Sequence, residues 1–245
     1  MLVPSLAGIL FVAGASISPG DTLLEVREGD RLGVAEFRGT VVVDSWDRPH
    51  LRARADTKEA RGFLFRRSGN DLHLRLEEGT HRGRREELLL TVPRWMSLKM
   101  IGQEMEVEVV GVGGDVEIRN LKGDLVLSQL GGAVEARSVE GSIEARALSG
   151  SARLRTGDDE IRVSSSTASL DLTTVDGDIE LDNVRASRLS ARSTDGEITF
   201  SGLVHEAGTY GFFSHGGGVT LHIPIPADFD ASILSYSGRF ESEFP

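Results

Sequence analysis

The chain has 245 residues, which is enough for one or two domains, and it has no Cys, which excludes disulfides, thiolate metal sites and cysteine catalysis. Its formal net charge of −11 argues against nucleic acid as a partner, because phosphate binding needs concentrated positive charge. Aromatic residues make up 6% of the chain and Gly reaches 29 residues, a composition typical of thin strands around a narrow core.

The first twenty residues contain an uncharged apolar run from Leu2 to Ala15, which is too short to span a bilayer. The small residues Ala13-Gly14-Ala15 resemble a signal-peptidase site. We therefore predict a signal peptide over residues 1–15 and export to the periplasm, the cell surface or the extracellular medium. The run lacks the usual N-terminal Lys or Arg, and a buried strand or helix is the alternative. No later window is apolar enough to be transmembrane.

Residues 16–104 show strand patterns of uneven length. TLLEVRE, RLGVAEF, TVVVDSW and HLRARAD follow one another, with a turn predicted at Arg38-Gly39. A hairpin is predicted over residues 63–76, because Ser-Gly-Asn-Asp separates two alternating segments. The polar run 78–87 predicts an exposed loop, and LLLTVP after it predicts a buried strand. We expect this region to form an N-terminal β cap or irregular coils.

A nine-residue repeat runs from residue 105 to residue 185 in constant phase and continues to about Val204 after one ten-residue block. The blocks read MEVEVVGVG, GDVEIRNLK, GDLVLSQLG, GAVEARSVE, GSIEARALS, GSARLRTGD, DEIRVSSST, ASLDLTTVD and GDIELDNVR. Positions 3 and 5 are apolar in every block, which predicts a short strand with one buried face. Position 1 is usually Gly, which accepts a positive φ and so predicts a turn. Position 8, apolar except at Gly157 and Ser166, is expected to tuck a corner into the interior.

Strands this short cannot bury an apolar face alone, so they must pair as hairpins or wind as a β-solenoid. The constant period favours winding. Acidic turns recur at about twice the block length, at residues 156–159, 174–177 and 193–196, which indicates two blocks per coil. We therefore predict an all-β, single-stranded β-helix-like solenoid of about 18-residue coils over residues 105–204, with irregular β caps over residues 16–104 and 205–245.

Several segments resemble a bacterial β-strand-repeat family labelled "putative adhesin", of the domain-of-unknown-function 4097 type. They are RLGVAEFRGTVVVDSWDRPHLRARA, LLLTVPRWMSLKM, the units TVDGDIEL and STDGEITF, and the ending ADFDASILSYSGRFESEFP, and the match covers residues 22–245. The resemblance implies an exported β-solenoid with no established catalytic residues, so none is carried over. Relatives often continue past the point where this chain stops at Pro245, so an open last coil is expected.

The acidic turns are the strongest candidate for a metal site. Calcium-binding β-rolls use the unit G-G-x-G-x-D-x-U-x, whereas the unit here is G-x-h-x-h-x-x-h-x, with h apolar. We interpret the acids as turn residues whose side chains hydrogen-bond their own backbone. The alternative is that they stack into a row of carboxylates that attracts Ca²⁺. The acids are Asp158, Asp159, Asp176, Asp178, Asp195 and Glu197. A metal site from His205, His215 and His222 is a weaker alternative, and we predict no metal and no cofactor.

Catalysis on a glycan would need a unique pair of carboxylates in a cleft. The acids here repeat with the block instead, as Glu117, Glu135 and Glu144 do, which predicts a surface ladder and no catalytic residue. At 18-residue spacing, a column on one face should form from Arg119, Arg137 and Arg155. This column is either a solvated ladder of ion pairs or a ligand-contact face for an anionic glycan or a protein partner.

Together these patterns predict a non-catalytic, exported, adhesin-like or structural module at the bacterial cell envelope. Its expected partner is an envelope or extracellular protein or a glycan. Two alternatives remain, a carbohydrate-active solenoid enzyme that acts on polysaccharide and a scaffold that assembles through open coil ends. The patterns leave the oligomeric state open.

Overall fold

The computed structural model describes residues 21–55, 63–76, 86–225, 227, 229–235 and 238–243. The predicted signal peptide and most of the predicted loop at 78–87 lie outside these residues. The described strands are β1 (Asp21–Glu25), β2 (Arg31–Trp46), β3 (His50–Ala55), β4 (Phe63–Ser68), β5 (Asp71–Leu76), β6 (Glu86–Pro93), β7 (Ser97–Val110), β8 (Val116–Arg119), β9 (Leu125–Ser128), β10 (Ala133–Arg137), β11 (Ile143–Arg146), β12 (Ser151–Arg155), β13 (Ile161–Ser164), β14 (Ser169–Thr173), β15 (Ile179–Val184), β16 (Arg188–Ser193), β17 (Ile198–Gly202), β18 (Thr209–Ser214) and β19 (Val219–His222).

The chain winds as a β-solenoid, and each coil gives one strand to each of two parallel sheets. The front sheet contains β8, β10, β12, β14, β16 and β18, and the back sheet contains β9, β11, β13, β15, β17 and β19. Val134 pairs with Val116 and Ile143 with Leu125, so residues 18 apart are neighbours. The predicted solenoid and its 18-residue coil are therefore confirmed.

The core is a narrow stack of side chains between the two sheets. Positions 3 and 5 of all nine blocks are buried, with at most 3% of their surface exposed. Burying each Val, Leu or Ile side chain contributes about 1.5–3 kcal/mol relative to exposure. Successive coils thus stabilise one another through like side chains stacked on like, which no single strand could achieve.

Two long strands carry the winding into the N-terminal region. Strands β2 and β7 each run through both sheets, and they pair in parallel over nearly their whole length. The turn predicted at Arg38-Gly39 is wrong, because β2 continues through it with register shifts between Ala35 and Arg38 and a φ of 130° at Gly39. A bulge of this kind bends a strand sharply enough to pass from one sheet to the next.

Antiparallel strands close the N-terminal end of the solenoid. Strand β5 and strand β6 lie beside β2, while β4 covers the outer edge of β5 and β3 and then β1 cover β6. Asp30, which is buried, accepts hydrogen bonds from Arg67 Nη1 at 2.8 and 2.9 Å and from the Arg27 amide at 2.8 Å. This carboxylate ties β4 to the coil beneath it.

The two corners of each coil differ. The apolar corner leads from the back sheet to the front sheet, and its position-8 residues are buried, namely Val112, Leu130, Leu148, Ser166 and Val184. The acidic corner leads from the front sheet to the back sheet, and its position-8 residues Leu121, Val139 and Val175 are exposed. The expectation that position 8 tucks into the interior therefore holds at one corner and is wrong at the other.

A polar ladder fills the acidic corner instead. Its members are the buried residues Asn120, Ser138, Thr156, Thr174 and Ser193. Each donates to a backbone carbonyl, as Asn120 Nδ2 does to Met105 O at 2.7 Å and Ser193 Oγ to Gly177 O at 3.0 Å. Buried polar groups are stable only when they are bonded in this way. The ladder therefore fixes the turn of each coil onto the turn before it.

Close approach between coils, rather than φ, explains most corner glycines. Of the position-1 glycines only Gly123 and Gly141 have a left-handed φ, of 113° and 146°. A Cβ built at Gly177 would lie 1.9 Å from the carbonyl oxygen of Asp159 in the preceding coil, and Gly196 is equally tight against Gly177. The prediction that these glycines serve a positive φ is wrong for the rest of the set.

The C-terminal end of the solenoid has longer coils than the middle and an exposed core. Parallel pairing continues beyond residue 204 through β18 and β19, with coils lengthened to 21 residues, as in Leu189↔Tyr210. No strand follows β19 among the described residues. The inward-facing Val219 and Leu221 stay 43% and 42% exposed, so this end of the core is open.

Candidate ligand-binding face

The predicted arginines form a column on the outer front sheet. Register pairs Arg119 with Arg137 and Arg137 with Arg155, and the column continues through Thr173 to Arg192. Neighbouring strands lie about 4.8 Å apart, so the guanidinium groups of Arg119, Arg137 and Arg155 repeat at that interval along the solenoid axis. Arg192 lies two strands beyond Arg155. All four arginines are exposed. We call Arg119, Arg137, Arg155 and Arg192 the arginine column.

Carboxylates on the same sheet neutralise part of this column. Arg119 lies 3.0 Å from Glu117, while Arg155 and Arg192 reach Asp171 at 4.0 and 3.6 Å. Among the described residues, Arg137 has no ion-pair partner. Exposed ion pairs of this kind are worth about 0–1 kcal/mol each, so a polyanion could displace them at little cost.

A shallow groove runs beside the arginine column. It has a volume of about 680 Å³ and crosses the strands from β5 to β16. Eight neighbouring strands at the usual spacing give it a length of about 34 Å. Small side chains line it, namely Ser97, Ala133, Ser151 and Ser169, and a row of charged residues separates it from the arginines. Its shape suits an extended chain rather than a compact small molecule.

The charged row between groove and column is Lys99, Glu117, Glu135, Arg153 and Asp171. Lys99 Nζ donates to Glu117 at 2.8 Å and Arg153 Nε donates to Asp171 at 3.1 Å. The hydrogen bond from Lys99 lowers the pKa of Glu117, and the positive charges of Lys99 and Arg119 lower it further. The Glu117 carboxylate therefore stays ionised and acts as a hydrogen-bond acceptor rather than as an acid.

Charge separates the front sheet from the rest of this acidic molecule. The outer front sheet carries more basic than acidic residues, with Arg31, Lys99, Arg119, Arg137, Arg153, Arg155, Arg188 and Arg192 against Asp71, Asp115, Glu117, Glu135 and Asp171. The acidic corner carries Lys122 against Asp124, Glu140, Asp158, Asp159, Glu160, Asp176, Asp178, Asp195 and Glu197. A repulsive edge beside a basic face would guide an anionic chain onto the face.

The acids of the predicted calcium row stack along the acidic corner. Asp178 accepts the amide of Glu197 at 2.7 Å, as Asp124 accepts the amide of Ser142 at 2.9 Å three coils earlier in the row. No group of three or more His, Asp or Glu side chains in the described part of the chain could hold a metal ion, which covers His205, His215 and His222.

Sequence reasoning found the arginine column but missed the groove. The signal was present, because position 2 of the front-sheet blocks is small at Ala133, Ser151 and Ser169. A small residue at position 2 is also what a turn after the position-1 glycine favours, so this signal does not by itself predict a groove. The groove follows only from the 18-residue coil, because that coil places Ala133, Ser151 and Ser169 side by side on neighbouring strands.

A family model described as Toastrack DUF4097 matches residues 40–244. The chain therefore belongs to this family, which confirms the resemblance found in the repeat units and in the ending. No curated protein matches the chain. No helix long and apolar enough to cross a membrane occurs in the described ranges.

Three solved structures are similar to the chain. A "putative cell adhesion protein" from Clostridium sporogenes has 9% identity and a TM-score of 0.35, covering 84% of this chain and 100% of its own. A "putative adhesin" from Bacteroides fragilis has 16% identity and a TM-score of 0.41, covering 83% and 96%. A "putative lipid binding protein" from Parabacteroides distasonis has 12% identity and a TM-score of 0.30, covering 82% and 96%. Scores this low carry no argument about function.

Proposed function

We propose that the protein is an exported, non-catalytic binding module that holds an extended anionic glycan on its front sheet, as an adhesin-like component of the cell envelope. The arginine column carries the proposal, because it presents guanidinium groups at a regular interval along a groove of about 34 Å. Arginine suits this role, since its planar fork binds carboxylates through two parallel hydrogen bonds.

Three features support binding over catalysis. Glu117 and Asp171 on the front sheet are held in ion pairs by Lys99, Arg119 and Arg153, and the pKa of Glu117 is lowered, opposite to what a general acid needs. The groove is shallow, so water would reach every part of it. Its charged groups recur from coil to coil, which suits a polymer bound in many equivalent places.

The test is binding of galacturonate oligomers to the purified chain, with fully methyl-esterified oligomers of the same length as the neutral control. We expect binding to the acidic oligomers only, and a fall in affinity as salt rises. The triple variant Arg119→Gln, Arg137→Gln and Arg155→Gln should lose about tenfold or more in affinity, from about 0.5–1 kcal/mol for each exposed contact.

The back sheet offers a matched control. Arg146 and Arg162 are exposed there to a similar degree, at 63% and 53%, and each makes an ion pair with a glutamate. The double variant Arg146→Gln and Arg162→Gln should keep the affinity of the wild type within about twofold. Equal losses in both variants, or equal binding of esterified and acidic oligomers, would remove the front-sheet proposal. Binding of a protein but of neither oligomer would replace the glycan by a protein partner.

The enzyme alternative and export need separate measurements. Appearance of new reducing ends or unsaturated ends during incubation with the acidic oligomers would support a carbohydrate-active enzyme instead.

Export rests on the apolar run from Leu2 to Ala15 in the sequence. Cell fractionation with N-terminal sequencing should find the mature chain outside the cytoplasm, beginning at Ser16. A cytoplasmic chain that keeps Met1 would exclude an adhesive role.

A further inference from the structure

The open C-terminal end presents an unpaired edge of unusual composition. Residues 207–227 contain no Asp, Glu, Lys or Arg, whereas each of the preceding coils carries several. The inner residues Tyr210 and Phe212 pack on Phe200 with ring centroids 6.1 and 5.5 Å apart, but Val219 and Leu221 remain largely exposed. Edge strands are usually protected by charge or by a covering segment, and this edge has neither.

The residues after this edge encode one more coil. The terminal segment, residues 229–235 and 238–243, repeats the last coil at the same 21-residue spacing, with Ile233 in the place of Phe212 and Phe240 in the place of Val219. Its corner is already formed. The Gly238 amide donates to Ser235 Oγ at 2.9 Å, as the Gly217 amide does to Ser214 Oγ at 3.0 Å.

The terminal segment nevertheless stays off its own edge. Ser214 Oγ donates to Gly196 O at 2.8 Å, and a Cβ at Gly217 would lie 2.2 Å from that same oxygen. At Gly238 the corresponding neighbour is absent from the described residues, since only its own Ser235 Oγ comes within 4 Å. Ile233 and Phe240 are 58% and 61% exposed. Ile233, Gly238 and Phe240 are thus not packed on the edge that their spacing would fit.

We propose that the terminal segment of one copy adds as a further coil to the β18–β19 edge of a second copy, and that the exchange is reciprocal. Each copy supplies one segment and one edge, so two copies satisfy each other and the assembly closes as a two-fold dimer. The other end differs, because β4, β3 and β1 extend β5 and β6 there by antiparallel pairing, so each copy has one parallel edge of this kind. The docked segment would bury the exposed faces of Val219, Leu221 and Ile233.

Oligomeric state and a pair of neighbouring substitutions test the exchange. Sedimentation of the full chain should show a dimer that dissociates on dilution. Ile233→Asp places a charge on the buried side of the added coil and should raise the dimer dissociation constant at least about tenfold. Leu234→Asp, on the outer side beside Phe213, should change it less than about threefold. A wild-type chain that stays monomeric at high concentration, or equal effects of the two variants, would overturn the proposal.

Cysteine cross-linking shows which copy supplies the added coil. Because the chain has no Cys, only the introduced cysteines can form disulfides. Thr199 pairs with Thr220, and 21 residues further lies Glu241. When the Thr220→Cys and Glu241→Cys chains are mixed and oxidised, a disulfide-linked heterodimer should form. A mixture of Thr199→Cys with Glu241→Cys, displaced by one coil, should give none. If the Thr220→Cys, Glu241→Cys double variant forms only an intrachain disulfide, the segment closes its own end and the dimer proposal is wrong.

Discussion

The two corners of the solenoid solve the same problem with different chemistry. At the apolar corner a residue in the left-handed region turns the chain, at Gln129, Ala147, Ser165 and Asn183. An apolar side chain then fills the bend, except after Ser165, where the buried residue is Ser166. At the acidic corner hydroxyl and amide groups fill the bend. Glycines at both corners let each turn lie directly on the one before, as Gly177 does at the acidic corner and Gly132 at the apolar one. A repeat of nine residues in sequence is therefore a repeat of 18 in structure.

The difference teaches that side-chain type alone does not determine burial in a solenoid. Leu121 and Leu130 occupy the same position of the nine-residue block, yet Leu121 is 43% exposed and Leu130 is 1% exposed. The corner that a block reaches decides the environment of its eighth residue. Substitutions matched between the corners should therefore have unequal effects.

The largest effect is expected at the tight glycines. Gly177→Ala forces a Cβ into the backbone of the preceding coil, 1.9 Å from Asp159 O, so we expect a loss of more than about 3 kcal/mol of unfolding free energy or failure to fold. Gly131→Ala at the apolar corner meets nothing closer than 3.5 Å and should cost less than about 1 kcal/mol. Urea unfolding measures both, and similar losses would mean that coil contact is not the reason for the glycines.

The paired leucines give the next largest effect. Leu130→Ala should cost about 2–3 kcal/mol, because it opens a cavity in the filled corner. Leu121→Ala removes an exposed side chain and should cost less than about 0.5 kcal/mol. Thermal and urea unfolding of the two variants compare them directly. A larger loss at Leu121 would show that the two corners have been assigned the wrong way round.

The polar ladder predicts a smaller loss. Ser193 Oγ donates to Gly177 O at 3.0 Å and accepts the Gly196 amide at 2.9 Å. Ser193→Ala leaves both backbone groups buried without that partner and should cost about 1–2 kcal/mol. Ser201→Ala, on the outer face of β17, is the control and should be close to neutral. Full tolerance of Ser193→Ala would remove the ladder from the account of the acidic corner.

The smallest loss of unfolding free energy is expected on the front sheet, outside both corners, and this loss should depend on pH. The pKa of Glu117 is lowered in the fold by Lys99 and Arg119, so its ionised form stabilises the protein above the pKa of the unfolded chain. This contribution, below about 1 kcal/mol for a partly exposed pair, is lost as the pH falls through the lowered value. The stability difference between wild type and Glu117→Gln should therefore shrink toward zero between pH 7 and pH 3. A difference that grows in acid would contradict the sign.

Much of this architecture could be predicted because apolar and polar residues alternate along each strand, which indicates for each residue whether its side chain is buried or exposed. Burial at positions 3 and 5, the two-block coil and the alignment of Arg119 with Arg137 and Arg155 all follow from that alternation. Contacts between coils are harder to recognise in the sequence, because they join residues about 18 positions apart. They explain the role of Gly177, the burial of Thr174 and the groove at Ser151. The continuous β2 was missed because a bulge needs no turn residues.

Deleting sequence in whole and half units tests the central claim, the 18-residue coil, most directly. Removal of residues 133–150 takes out one complete coil and leaves both corners in phase, so the shortened chain should stay soluble and unfold cooperatively with a β-type circular dichroism spectrum. Removal of residues 133–141 exchanges the corners downstream, placing Ala147 where the polar ladder needs Ser138 and Leu148 at the exposed position of Val139, and that chain should aggregate or fail to fold. Equal stability of the two deletions would contradict the two-corner coil.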